Sequence, residues 1–406
     1  MMKSVSLFLC AGVCLLGASP KDVPQKAGMD PDRLAKIPVR MKAFVDKGTI
    51  AGCVTLVARH GAIASLEAVG YTDLDHKKPM RTDAIFQIHS MTKPVTATGI
   101  MLLMEEGKLA LSDPVEKHLP EFRSMWVIES QDAGKTRTLR RPSRPITIRD
   151  LLTHTSGMSL NPPPGIGELH GALHKTLAEA VAVFSQQPLE FEPGAKWQYS
   201  NTGLATAGRI IEVLSGMPYE KFLEERIFRP LGMKDSYIYP PAEKYDRIPT
   251  AYILKDGKPE KYYSDPLGEG AMKYRQGAKY PLPEGGIYST ASDMAAFYQT
   301  MLNGGAYKNV RLISRATVDV MTAVHTGDLR TNGPGMGYGL GWAVVRDAAG
   351  TLPLTPVGTF GHGGRYGTYG FVDPKNDLVG VFMIQREGGS EERIAFMEMA
   401  EAAVAE

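Results

Sequence analysis

Apolar positions run in short β-branched blocks at both ends of the chain and recur at helical spacing in between. Residues 53–58 (Cys-Val-Thr-Leu-Val-Ala) and residues 63–69 flank His60-Gly61, which predicts a β-hairpin. Toward the other end, residues 341–345, 369–372 and 378–384 predict three further strands, with Asp373-Pro374-Lys375-Asn376-Asp377 as the turn between the last two. Between these ends, Ala97, Ile100, Met101, Leu102, Leu103 and Met104 form an almost wholly apolar helix that Gly107 can stop. Helices are also predicted over residues 202–214 and, with an amphipathic pattern, over about 390–404. Strands from both ends with helices between them imply an α+β fold, one sheet carrying an inserted helical lobe. A ligand cleft is expected where sheet and lobe meet.

Composition changes this picture little. At the N-terminus, Lys3 precedes an apolar run over residues 5–16, followed by the small residues Gly17-Ala18-Ser19. This pattern predicts a secretory signal peptide over residues 1–19, too short to span a membrane, and a periplasmic or secreted protein. Leu9 and Val13 precede Cys10 and Cys14 where a lipoprotein signal would have small residues. Cleavage would leave Cys53 alone, which excludes an intramolecular disulfide. The net charge of +2 offers no electrostatic case for nucleic acid, and the basic stretch over residues 135–144 lacks interleaved aromatics and reads as a solvated loop. There is no internal repeat.

The chemistry begins at Ser90-Met91-Thr92-Lys93, the only Ser-x-x-Lys in the 406 residues. A serine on the first turn of a buried helix has unpaired backbone N–H groups and the positive end of the helix dipole around it. A lysine three residues on shares its helical face. Burial lowers the ammonium pKa, so neutral amine can take the serine proton. Tyr199-Ser200-Asn201 leads into an apolar helix and supplies a phenol and an amide; a second Tyr-x-Asn, Tyr307-Lys308-Asn309, sits in a polar turn. Two His-x-Gly sequences compete for a third element. His362-Gly363-Gly364, in a glycine-rich segment between strands, is favoured over His325-Thr326-Gly327, because such a segment lets a substrate approach backbone N–H groups.

Ser90-x-x-Lys93, Tyr199-x-Asn201 and His362-x-Gly364, in that order and spacing, resemble the serine β-lactamase and penicillin-binding protein superfamily, and most closely its family VIII carboxylesterases. Gly107-Lys108-Leu109, Asp113-Pro114-Val115, residues 147–157 and residues 284–290 extend the likeness over nearly the whole chain. The resemblance implies a β-lactamase-like domain over residues 20–406. Its antiparallel sheet lobe (about 25–85 and 285–406) would be flanked by helices, with an all-helical lobe over about 86–284. It also implies an acyl-enzyme at Ser90, with Lys93 and Tyr199 sharing the proton work. The backbone N–H groups of Ser90 and Arg365 would hold the oxyanion, and Asn201, His362, Gly363, Gly364 and Arg365 would bind substrate. Which of Lys93 and Tyr199 is the base stays open.

Many relatives carry Lys-Thr-Gly as the third element, and this chain has none. A lysine anchors a substrate carboxylate, whereas a histidine is mostly neutral at pH 7. Arg365 either restores that charge or points to solvent. Eight of the 17 tyrosines fall between Tyr237 and Tyr280, which suits either an aromatic rim over the cleft or an irregular surface loop. The first expectation is therefore a carboxylesterase acting on short-chain or aryl esters. A D-aminopeptidase or D-Ala-D-Ala carboxypeptidase, a β-lactamase, and a binding protein that lost turnover are the alternatives. A small-molecule ester, amide or β-lactam is the expected partner, and no cofactor or metal is implied: there is no His-Glu-x-x-His, and the nine histidines are scattered. The absence of Gly-x-Ser-x-Gly argues against an α/β-hydrolase.

Overall fold

The computed structural model describes residues 22–132, 136–161, 174–262, 273–275, 277–349 and 352–405, so the expected signal peptide lies outside the described residues. β1 (Gly52–Arg59) and β2 (Ala62–Asp73) form the expected hairpin, with His60 and Gly61 at φ of 52° and 75°. Positive φ at both turn residues is what a two-residue hairpin matched to the strand twist requires. β3 (Lys78–Pro79), β4 (Met336–Tyr338), β5 (Ala343–Val345), β6 (Phe360–Gly363), β7 (Tyr369–Asp373) and β8 (Leu378–Ile384) complete an eight-stranded sheet in the order β4-β5-β6-β7-β8-β1-β2-β3. Neighbouring strands are antiparallel throughout. β1 pairs with β8 from Cys53 opposite Ile384 to Arg59 opposite Leu378, joining the two ends of the chain. Both strands are buried along their whole length, which explains their unbroken apolar runs.

Two strand expectations need correction. β5 begins at Ala343 because Gly341, at φ 79°, is folded down onto the helix that carries Lys93. His362 lies inside β6 and not between strands. Phe-Gly-His-Gly carries little intrinsic strand preference, and pairing with β5 and β7 imposes the conformation.

The helices that frame the sheet and the insert include α1 (Lys36–Asp46), α2 (Thr92–Glu105), α3 (Ile148–Thr153), α4 (Leu177–Phe184), α5 (Asn201–Ser215), α6 (Ala291–Leu302) and α7 (Glu391–Ala402). α1 and α7 cover one sheet face, packing Met41, Phe44 and Phe396 against Phe371 and Phe382. α6 covers the other face, where Tyr298 fills the space left by Gly370. α2 is buried from Thr92 to Leu103 and ends before Gly107 at φ 71°. α5 is capped by the Ser200 hydroxyl, which accepts from Gly203 N–H, and stops at Gly216. The insert is helical around α2 and α5, and it also carries two peripheral hairpins that an all-helical lobe does not include. They are Val127–Gln131 with Arg137–Arg140, and Tyr252–Lys255 with Lys258–Lys261. Tyr307 and Asn309 belong to a tight turn after α6, as expected. No helix among the described residues is long and apolar enough to cross a membrane.

At Gly341 a Cβ would lie 2.8 Å from Ala97 Cβ and 3.1 Å from the Lys93 carbonyl oxygen, whereas at Gly107 it would meet open space. Gly107→Ala is expected to lose about 1 kcal/mol from the left-handed backbone alone. Gly341→Ala should lose about 3 kcal/mol, the overpacking adding to the strain. Urea unfolding of the two variants checks this; equal losses would mean that contact with α2 is not what requires glycine there.

Candidate active site

Ser90 lies in a 3-10 turn, His89–Met91, at the N-terminal end of α2. The turn is entered through His89 at φ 45°, a left-handed step unusual for a non-glycine residue. Tyr366 meets the buried His89 ring edge-on at 4.3 Å, and Gly285 lies close over its backbone. This kink leaves Ser90 half-buried at the surface of the interior while Met91, Thr92 and Lys93 turn inward.

In the first turns of α2 the polar groups of Thr92, Lys93 and Thr96 meet one loop, while Thr98 bonds the Pro94 carbonyl of the helix itself. Thr92 Oγ1 accepts from Ile287 N–H at 3.1 Å, Lys93 Nζ donates to the Glu284 carbonyl at 2.7 Å, and Thr96 Oγ1 donates to the Pro283 carbonyl at 2.6 Å. Lys93 Nζ also bonds Asn201 Oδ1 at 2.9 Å and Ser90 Oγ at 3.0 Å. The arrangement serves both protonation states. An ammonium donates three times, whereas a neutral amine donates to the two carbonyl oxygens and turns its lone pair to the Ser90 hydroxyl. Burial pushes the Lys93 pKa down to about 7, against the opposing pull of the buried Glu284 carboxylate.

Tyr199 is half-buried; its ring centroid is 4.6 Å from Lys93 Nζ, and its hydroxyl is within hydrogen-bonding reach of the Ser90 side chain. Burial pushes the phenol pKa up, so it stays protonated at neutral pH. Asn201, the first residue of α5, accepts from Lys93 and uses one amide hydrogen to reach Asn161 Oδ1 at 2.9 Å. Ser90, Lys93, Tyr199 and Asn201, expected from sequence to lie together, do so.

The third element behaves differently from the expectation. Ser200 N–H donates to His154 Nδ1 at 3.1 Å, so the neutral imidazole carries its proton on Nε2 and donates to Tyr338 Oη at 3.1 Å. The Tyr338 hydroxyl then donates to His362 Nε2 at 3.0 Å, and His362 Nδ1–H donates to the Gly363 carbonyl at 2.8 Å. Burial and the Lys93 charge push the His362 pKa down to about 3, and burial lowers that of His154. His362 is therefore a neutral wall of the site with both ring nitrogens bound to protein groups, not a hydrogen-bonding substrate ligand. Gly363 and Gly364 are packing positions: a Cβ at Gly364 would lie 2.3 Å from the Ile88 carbonyl, which locks the end of β6 against the turn holding Ser90. Arg365 is exposed at the edge of the site, and its charge is already paired. Its guanidinium bonds Glu387 Oε2 and the Tyr262 hydroxyl, each at 3.0 Å. His325 bonds the Val320 carbonyl and takes no part.

The described tyrosines of the Tyr237–Tyr280 segment divide between core and partly exposed positions. Tyr252 and Tyr280 are in the core and Tyr245 packs on Tyr274, while Tyr262 reaches the rim through Arg365. Sequence reasoning missed His154, whose ring packs at a tilt against Tyr199 with centroids 4.3 Å apart, and Glu284. Both lie in stretches, residues 147–157 and 284–290, that the sequence offered only as part of the family likeness. Among the described residues no His, Cys, Asp and Glu group could hold a metal.

A family model described as Beta-lactamase matches residues 40–404. Protein Rv1367c of Mycobacterium tuberculosis is 32% identical over 366 residues, which span 85% of this chain and 88% of that protein. Esterase EstB of Burkholderia gladioli is 29% identical, spanning 86% of this chain and 91% of the esterase. Among solved structures, EstCE1, described as a hydrolase with promiscuous acyltransferase activity, is similar with a TM-score of 0.77 and 29% identity over 93% of this chain and 99% of that one.

Replacing Tyr338 by Phe would leave the His154 Nε2–H and His362 Nε2 buried without partners. A loss of about 3 kcal/mol in unfolding free energy is expected. Denaturant titration measures it, and an unchanged midpoint would mean that the hydroxyl does not hold the two imidazoles.

Proposed function

Because this chain belongs to the beta-lactamase family and is a serine hydrolase, we propose that it is an exported carboxylesterase that forms an acyl-enzyme at Ser90 and prefers short-chain or aryl esters. Neutral Lys93 takes the Ser90 proton as Oγ attacks the ester carbonyl. The negative charge that develops on the carbonyl oxygen is held by the backbone N–H groups of Ser90 and Arg365. The proton then passes through the Tyr199 phenol to the departing alkoxide, which leaves as the alcohol. Water attacks the acyl-enzyme by the reverse route, giving its proton to Lys93 and returning Oγ–H to Ser90. The assignment of Lys93 as base is supported by its pKa near 7, beside a Tyr199 phenol that burial keeps protonated.

The observation that carries the ester preference is the charge state of the third element. His362 is neutral with both nitrogens engaged, and the Arg365 guanidinium is paired with Glu387. Neither supplies the fixed cation that a β-lactam or peptide carboxylate would seek. Similarity to EstB and EstCE1 supports the same reading. Export is supported by the charge and hydropathy pattern of residues 3–19. Cys53 fits an oxidising compartment, since it is buried and burial pushes its thiol pKa up, leaving little reactive thiolate.

Purified protein should cleave p-nitrophenyl butyrate rapidly and nitrocefin slowly, with both activities lost in Ser90→Ala. Faster nitrocefin turnover would move the β-lactam reading to first place, and cleavage of D-alanyl peptides without ester turnover would favour the peptidase.

The pH dependence follows from Lys93. Above its pKa of about 7 the amine is neutral and accepts the serine proton; below, the ammonium cannot. kcat/KM should therefore rise with pH through an apparent pKa near 7, falling about tenfold per unit on the acid side. A profile that stays flat across that range would remove Lys93 from the base role.

A further inference from the structure

β6 has two faces, and the site uses one of them. Alternation along β5, β6 and β7 puts His362 and Gly370 toward α6, and Ala343, Gly361, Gly363 and Tyr369 toward α7. On the α7 side lies a cavity of about 280 Å3, near the lower end of the range for small-molecule sites. Its walls are Ala343, Val345 and Gly361 from the sheet, Ile394 and Met397 from α7, and Leu352.

Three polar side chains break this apolar lining. The Arg393 guanidinium lies over the Tyr369 ring, 4.9 Å from its centroid, and makes no ion pair or side-chain hydrogen bond with the described residues. The neighbouring acids do not serve it: Glu391 faces Arg40, and Glu392 is paired with Arg386. Thr355 and Thr359 line the same cavity at 6% and 3% exposure, and both hydroxyls are buried without a hydrogen-bond partner. Unsatisfied buried hydroxyls are uncommon, and two on residues that line one cavity, beside a guanidinium without an ion-pair partner, point to a polar ligand head. None of the described lining residues is acidic. A purely apolar occupant would leave the guanidinium without a counter-charge and the two hydroxyls unmet, and a purely polar one would waste the Ala, Val, Ile, Leu and Met walls.

We propose that this cavity is a second binding site, for a small monocarboxylate with a short aryl or branched aliphatic tail. The carboxylate meets Arg393 and the two threonine hydroxyls, and the tail lies between the sheet and α7. A single cation suits a monoanion better than a dianion. β6 separates this cavity from Ser90, so occupancy does not depend on which acyl compound the Ser90 site turns over.

Calorimetric titration of 4-phenylbutyrate and of octanoate into enzyme whose Ser90 has been blocked with a fluorophosphonate tests the site. One equivalent of at least one acid should bind. Arg393→Met should weaken binding about tenfold or more, Arg393→Lys less, and the near-isosteric Thr359→Val by about threefold to tenfold. The neutral 4-phenylbutan-1-ol should bind at least about tenfold more weakly than its acid. Absence of saturable binding by either acid up to about 10 mM would overturn the proposal. So would equal affinity in Arg393→Met, or binding that appears only when Ser90 is unblocked. Because Ser90 is blocked throughout, failure here leaves the hydrolase reading intact, and failure of the ester assay leaves this site intact.

Discussion

The Lys93 amine is fully buried, and its three hydrogen-bond neighbours are Ser90 Oγ, Asn201 Oδ1 and the Glu284 carbonyl oxygen. Holding an ammonium away from water costs several kcal/mol, which is why the pKa falls toward neutrality. Much of the surrounding architecture follows from keeping this one group dry yet bonded. A helix with an exposed face would hydrate it, so α2 is buried from Thr92 to Leu103. The loop over residues 283–287 meets Thr92, Lys93 and Thr96 of that stretch, and Gly341 lets the chain entering β5 close over the Lys93 backbone. The Tyr199 ring face adds an attraction that acts on the charged form alone.

Around that amine the protein places groups without charge. His154, Tyr338 and His362 are joined in one direction of proton donation, from Ser200 N–H to the Gly363 carbonyl, and each is satisfied while neutral. A protonated imidazole here would break the chain, because Nε2 of His362 must accept. It would also repel the Lys93 charge and lower its pKa further. Arg365, the nearest formal cation in the third element, is held by Glu387 and Tyr262 instead. The buried Glu284 carboxylate works in the opposite sense, limiting how far burial drives the Lys93 pKa down.

What could be read in the sequence depended on local chemistry. Ser90 and Lys93 were legible because three-residue spacing at a helix start fixes their relation. Tyr199 and Asn201 were legible because they enter an apolar helix, and the β1–β2 hairpin because turn residues separate two apolar runs. His362 was found, but its role was not, since that depends on Tyr338 and His154, contributed by β4 and by the end of α3. His154 holds its place in the left-handed conformation that ends α3, which no residue pattern announces. Glu284 reaches Lys93 through a backbone carbonyl, a group every residue has. The strands β4 and β6 are short and glycine-containing, and their conformation comes from the neighbours they pair with. Arg365 could not be placed because its partner, Glu387, lies beyond the following two strands.

Substrate charge and base strength are linked through the same amine. A substrate carboxylate entering the site would find His362 neutral and the Arg365 guanidinium already paired, which leaves Lys93 as the buried cation nearest the reacting serine. Pairing with it would favour the ammonium and raise its pKa, removing the lone pair that Ser90 needs. A neutral ester does not disturb that balance. The proposed preference for esters thus rests on more than a missing anchor: if Lys93 is the base, as proposed, an anion drawn to it would work against the reaction that a neutral ester leaves undisturbed.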